Sequence, residues 1–214
     1  MIAHHPRGDM LLAYAAGNVS AAVALILATH LTLCPRCRAS LSRAEAIGGA
    51  LLENLRPTPV SAGVFDRLDH QLKRAGLAVE TDSHQSVRNE ATPAPLRFYL
   101  NGTLDQVRWI SIAPGLAYRP VIADRSGARL VRSGPGRGIA THTHRGEEFS
   151  LVLAGGYTDS SGHYLPGDFQ AADRSLTHRP IADDDADCVI LTVTDASLSF
   201  SNPIAGLIAK LIGC

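Results

Sequence analysis

Gly136-Arg-Gly-Ile-Ala-Thr-His142-Thr-His144-Arg-Gly-Glu-Glu148-Phe-Ser-Leu-Val-Leu-Ala-Gly155 is the stretch that decides the fold. Successive side chains on a strand point to opposite faces, so His142 and His144 share one face. Glu148 has the same parity and returns to that face as the next strand begins. Glu147 has the wrong parity and is expected in solvent. Two imidazoles and a carboxylate on one face supply most of a site for a divalent transition metal. A fourth donor is expected from a strand that pairs nearby. Pro166-Gly167-Asp168 opens such a strand, and His178 follows ten residues after Asp168. The plainer alternative is a pair of surface histidines on a hairpin, because nine of the 214 residues are His. That alternative leaves the spacing of the glutamate and of the bracketing glycines unexplained.

Around this stretch the chain reads as short strands. Residues 106–113 alternate in polarity. Leu116–Ile122, Ala128–Ser133, Glu148–Ala154, residues 168–172 and Cys188–Thr194 are apolar runs of strand length. Pro114-Gly115, Ser126-Gly127, Gly134-Pro-Gly136, Gly155-Gly156 and Pro166-Gly167 separate them as turns. Many short strands at even spacing argue a sandwich or small barrel over residues 96–214. The apolar tail from Pro203 to Cys214 suits a short helix. His163 reads as a turn residue, and His70 and His84 as solvated.

Residues 1–75 have a different character. Met10, Leu11 and Tyr14 recur at helical spacing before Gly17. Ser20 can cap a second helix to about Leu33, Pro35 can open a third to about Leu55, and Ser61 can cap a fourth through Phe65, Leu68 and Leu72. Residues 76–95 lack apolar periodicity, end in prolines and read as a linker. The expected architecture is α+β in two domains: a helical bundle over 1–75 and a β-barrel over 96–214.

A second constellation, His30-x-x-x-Cys34-x-x-Cys37, crosses the junction of the second and third helices. Residues four apart stack on one helix face, and Cys37 lies one turn beyond Cys34. Zinc takes four ligands, and His5, with His4 as the alternative, is the candidate fourth. Cys34-Pro-Arg-Cys37 could instead be a thioredoxin-type redox pair, but that fold places a strand before the motif and here a helix precedes it. The two cysteines could also be small core hydrophobes. The added His at helical spacing favours zinc. Cys188 and Cys214 are expected to be dispensable for it.

Composition narrows the function. Lys plus Arg and Asp plus Glu are 20 each, so the formal charge is zero. A simple basic nucleic-acid binder is excluded, and so is an acidic tail protein. Hydrophobic residues are 45% and charged residues 19%, enough for real cores. No signal-peptide pattern opens the chain, and residues 21–33 are too short to span a membrane. The expected compartment is the cytoplasm, where thiols stay reduced and cysteines serve as ligands or packing rather than as a disulfide frame.

The spacing from Gly136 to Gly155 resembles the first cupin motif, and Pro166-Gly167-Asp168 with His178 resembles a diverged second one. His4-His5, Asp9-x-Leu-Leu-x-Tyr14-Ala-Ala-Gly17 and His30-x-x-x-Cys34-x-x-Cys37 resemble a zinc-binding anti-sigma domain. An anti-sigma domain followed by a cupin is the arrangement of the ChrR-type anti-sigma factors, and the resemblance covers nearly the whole chain. It implies regulation and not turnover. Such proteins hold an extracytoplasmic-function sigma factor, one to one, through the helical domain, and respond through the cupin to singlet oxygen or organic hydroperoxide. By residue, it implies one zinc on His5, His30, Cys34 and Cys37. A second zinc, or another divalent metal, would sit on His142, His144, Glu148 and His178. A rival from a different class is a metal-dependent, dioxygenase-like cupin enzyme with a helical appendage. Iron with open positions would favour it, and two zinc ions with a bound sigma factor would favour the regulator.

Overall fold

A computed structural model describes residues 1–74, 92–122, 127–203 and 206. Residues 76–91 of the linker reading, His84 and most of the tail, with Cys214, lie outside the described residues.

The helices follow local chemistry. α1 (Gly8–Ala15) carries Asp9 in its first turn, where the helix dipole favours an anion, and it is followed by Gly17 at φ +68°. α2 (Ala21–Leu33) is capped by Ser20, whose side chain accepts from Val23 N. Its Leu25, Ile26, Leu27 and Leu31 are buried, and the helix is apolar all round, as a core helix should be. Each such side chain contributes about 1.5–3 kcal/mol by leaving water. Cys34 leaves the helical conformation, and Pro35 at once opens α3 (Pro35–Glu53). α4 (Val64–Arg74) has no buried residue. α5 (Ala94–Leu100) starts inside the segment read as linker, follows Pro93 and ends at Asn101 in the left-handed region. It was not expected. Pro95 read as a breaker, yet proline is tolerated in a first helical turn.

A 3-10 turn (Leu104–Gln106) leads into twelve strands among the described residues. β1 (Ile110–Ala113), β2 (Leu116–Ile122), β3 (Ala128–Ser133), β5 (Glu148–Ala154), β8 (Phe169–Ala172) and β11 (Cys188–Thr194) form one sheet in the order β1-β2-β3-β11-β5-β8. β6 (Tyr157–Asp159), β7 (Gly162–Tyr164) and β10 (Ile181–Ala182) form a second sheet. β4 (His142–His144), β9 (Thr177–His178) and β12 (Leu198–Phe200) form a third. All pairings are antiparallel. Only the second half of the alternating stretch 106–113 is strand.

By compactness, Met1–Ala46 group with the residues from Ala91 onward, and Ile47–Glu90 make a second unit. Within the first unit α2 packs against α1, α5, β3, β5 and β11. Its core joins Leu25, Ile26 and Leu27 to Leu130, Phe149, Leu151, Phe169 and Leu191. The second unit takes in the last turns of α3 and all of α4. Among the described residues no helix is long and apolar enough to cross a membrane.

Candidate metal centres

The barrel centre is built by strand register. On β4, His142 and His144 are buried while Thr143 between them is half-buried. β9 pairs with β4 so that His178 stands opposite His142. Glu148 is the first residue of β5 in the large sheet. One ligand atom from each of His142, His144, Glu148 and His178 lies within 4.8 Å of the other three.

Each imidazole hydrogen-bonds an oxygen through Nδ1: His142 to Ala140 O at 2.9 Å, His144 to Asp173 O at 3.2 Å, and His178 to the Asp159 carboxylate at 2.6 Å. A neutral ring that donates from Nδ1 carries its lone pair on Nε2. His142 Nε2 and His178 Nε2 stand 3.0 Å apart, and His144 Nε2 is buried without a hydrogen-bond partner. Lone pairs facing one another beside a carboxylate repel, and a cation among them removes that repulsion. Burial lowers the His142 pKa. Burial alone would raise the Glu148 carboxyl, but the facing imidazoles in their protonated form, His144 nearest at 3.7 Å, outweigh it and hold it below its ordinary value, the effect a cation at the centre would also have. The same carboxylate outweighs burial at His144 and raises that ring. Three nitrogens and one oxygen suit zinc or another divalent transition metal.

The helical centre gathers His5, His30, Cys34 and Cys37, again with ligand atoms within 4.8 Å. His5 Nδ1 lies 3.4 Å from Cys34 Sγ and 3.5 Å from Cys37 Sγ. A tetrahedron with ordinary zinc–nitrogen and zinc–sulfur bonds has edges of ~3.5 Å. His30 donates from Nδ1 to Gly167 O at 3.0 Å and leaves Nε2 buried and unpartnered. Burial drives the His30 pKa down to about 4, so the ring stays neutral. Burial and then Cys34 push the Cys37 thiol up to about 12. A bound dication would stabilise the thiolate and reverse that shift. Two sulfurs and two nitrogens match a closed zinc site.

Among curated proteins, the anti-sigma-E factor ChrR of Cereibacter sphaeroides is 37% identical over 97% of this chain and 96% of its own length. The chain belongs to the ChrR family of anti-sigma factors. The ChrR cupin-like domain family matches residues 100–197. The crystal structure of Rhodobacter sphaeroides SigE in complex with the anti-sigma ChrR superposes with a TM-score of 0.79 and 34% identity. That match covers 91% of this chain and 100% of the other.

In this ChrR-family chain the structure gathers all eight residues singled out from the sequence into two clusters, and it separates the alternatives. His5 enters the helical centre, whereas the His4 ring packs against Tyr164 with centroids 4.5 Å apart. Glu147 stays outside and pairs with Arg7 at 3.0 Å. His163 lies on β7 and not in a turn, and it bonds Asp183 at 2.8 Å. His70 is exposed on α4, and Cys188 is buried in β11, a free thiol. Sequence reasoning missed Asp159, the buried carboxylate that orients His178. Hydrogen bonds from Ser161, Gln170 and His178 overcome its burial and hold its pKa at about 2. A single Asp in Tyr157-Thr-Asp-Ser-Ser-Gly162 carries no spacing signal that could have revealed it.

Proposed function

We propose that this protein is an anti-sigma factor. It binds an extracytoplasmic-function sigma factor one to one through its helical part, residues 1–75, and keeps it from core RNA polymerase in the cytoplasm. The observation that carries this reading is an apolar surface in the second unit. Phe65, Leu68 and Leu72 lie along one face of α4 and are 74%, 50% and 47% exposed. Ile47, Leu51, Leu52 and Leu55 are exposed at the end of α3 and just beyond it. A helix with a continuous apolar stripe and no buried residue is built to cover another protein. The related ChrR is named an anti-sigma-E factor, and its solved complex holds SigE.

In this reading zinc fills the helical centre and braces the arm, α2 and the start of α3. Zinc, or another divalent metal, fills the barrel centre. Were that ion zinc, four protein donors would complete a tetrahedral site and leave no open position for substrate, which supports a regulator over a cupin enzyme. The barrel is the sensor of oxidative stress, singlet oxygen or organic hydroperoxide. Its imidazole ligands are oxidisable, and their modification alters the strands that carry them. Only a stimulus that distinguishes the bound from the released state shifts that equilibrium.

The test is co-expression with an extracytoplasmic-function sigma factor. The chain should purify with it one to one and carry two metals. Phe65→Asp with Leu68→Asp should lose the complex at least about 100-fold, the scale of an interface hot spot, and keep both metals. A variant that binds as tightly as the parent refutes the reading. Glu148→Ala should still repress in unstressed cells and fail to release the sigma factor under singlet oxygen. Normal release would make the barrel metal structural and move the sensor elsewhere.

A further inference from the structure

The helical centre draws one of its four residues, His5, from an N-terminal arm without secondary structure of its own. What places that arm is the barrel. Asp168, 3% exposed, accepts from Ala3 N at 2.7 Å and His4 N at 2.9 Å through one carboxylate oxygen. Its other oxygen accepts from Leu165 N at 2.9 Å and closes its own turn. One residue on, Phe169 N donates to His4 O at 3.1 Å, so the arm adds a main-chain bond to the start of β8. Past His5, Arg7 Nη2 reaches Glu147 at 3.0 Å. His5 is thus strung between two barrel anchors, with Asp168 at the buried end.

The same turn touches the centre a second time. Gly167 O takes the Nδ1 proton of His30, which leaves Nε2 free for a metal. The Phe169 ring meets the His30 ring edge-on, with centroids 5.9 Å apart. Gly167 sits at φ +93°, where glycine is favoured, and a Cβ there would press on the Ile2 side chain, which the arm lays against this turn. Both histidines of the helical centre therefore take their positions from residues 165–169, which belong to the barrel.

We propose that Asp168 is a positioning residue for the helical metal centre, and that this centre is assembled jointly by the helices and the barrel turn. The inference rests on the reading that His5, His30, Cys34 and Cys37 hold a metal. Partners that orient a ligand ordinarily change metal affinity 10–100-fold when removed. An Asn at 168 can present its oxygen to the arm or to Leu165 N, and its NH₂ then confronts N–H donors on the other side.

The experiment uses the full chain and cobalt(II) in place of zinc. The barrel centre contains no cysteine, so the thiolate-to-cobalt charge-transfer band reports the helical centre alone. Asp168→Asn should weaken cobalt binding at that band 10–100-fold. The d–d bands should move toward those of His5→Ala, while the charge-transfer intensity at saturation stays, because both thiolates remain. A general loss of stability would not single out the histidine in this way. Should Asp168→Asn not fold, Ala3→Pro removes one arm donor with the barrel sequence intact and must shift affinity and d–d bands in the same direction. A wild-type band that is unchanged in the variant overturns the proposal and leaves the metal reading standing. No charge-transfer band in the wild type overturns both.

Discussion

Replacing Asp159 by Asn exchanges a pure acceptor for a group that must also donate, at a side chain with no exposed surface. Asp159 accepts from His178 Nδ1 at 2.6 Å, Gln170 Nε2 at 2.8 Å, Ser161 N at 2.7 Å, Ser161 Oγ at 2.6 Å and Gly162 N at 3.2 Å. Asn offers one oxygen. Turned toward Ser161, it sets an NH₂ against His178 Nδ1. The ring must then move its proton to Nε2, the atom that faces the centre. Turned toward His178, it sets the NH₂ against the main-chain N–H groups of Ser161 and Gly162. The first arrangement removes a ligand, and the second leaves buried donors unpaired at about 1–3 kcal/mol each. The expected loss in metal affinity at the barrel centre is 10–100-fold, about 1.4–2.7 kcal/mol. Competition with a chromophoric zinc chelator on the full chain measures it, and the helical centre serves as the internal reference. A folded Asp159→Asn chain with unchanged affinity at the barrel centre refutes the claim that this carboxylate fixes His178.

Cys37→Ser should reduce the metal count from two to one per chain by elemental analysis and abolish sigma binding. Losing a metal held at 100 times its dissociation constant removes about 2.7 kcal/mol of stability, visible as a lower Tm. Glu147→Ala should leave both metals in place and change stability by no more than about 1 kcal/mol, since its pair with Arg7 is half exposed and screened by salt. Glu148→Ala should lose the barrel metal, and equal metal loss in the two variants would overturn the choice of Glu148 over Glu147. Acid should destabilise the metal-stripped protein through His30, whose pKa is lowered in the fold to about 4 from 6.5. A depressed His pKa means the unfolded chain binds the proton first. Stability is therefore intact above about pH 6.5 and declines toward pH 4, by roughly 3 kcal/mol at most. Urea titrations across that range should show the decline, and His30→Gln should flatten it.

The clusters were legible because each rests on a rule of parity or of turn spacing that survives folding unchanged. His142 and His144 share strand parity, and His30 and Cys34 share a helix face. Glu148 reaches the centre from a different sheet, across the bend at 145–147, so its count of four from His144 pointed to the right residue without strand parity carrying it there. His178 needed more than spacing, because only the register of β9 against β4 sets it opposite His142. The choice of His5 over His4 was closed to sequence reasoning. Adjacent residues in an irregular arm have no period, and the contact that decides, Asp168, lies about 160 residues away. The longer strands showed as apolar runs. β6, β7, β9, β10 and β12 have two or three residues each, too few for a period to appear. The apolar face of α4 was readable as Phe65, Leu68 and Leu72, but its exposure among the described residues was not.

The position of α2 sets an order of events during synthesis. Its Leu25, Ile26, Leu27 and Leu31 leave the ribosome early, yet β5 and β11, which cover it, are complete only at Ala154 and Thr194. At ~5–20 residues per second the helix waits on the order of ten seconds with its apolar sides in water. The two cysteines and His30 emerge in the same interval, whereas the turn that fixes His30 arrives with Gly167. The first unit therefore closes late and from its C-terminal side. A ribosome stalled before β11 would display a bare apolar helix, a natural substrate for chaperones and proteases, and such a nascent chain would not yet have a complete core.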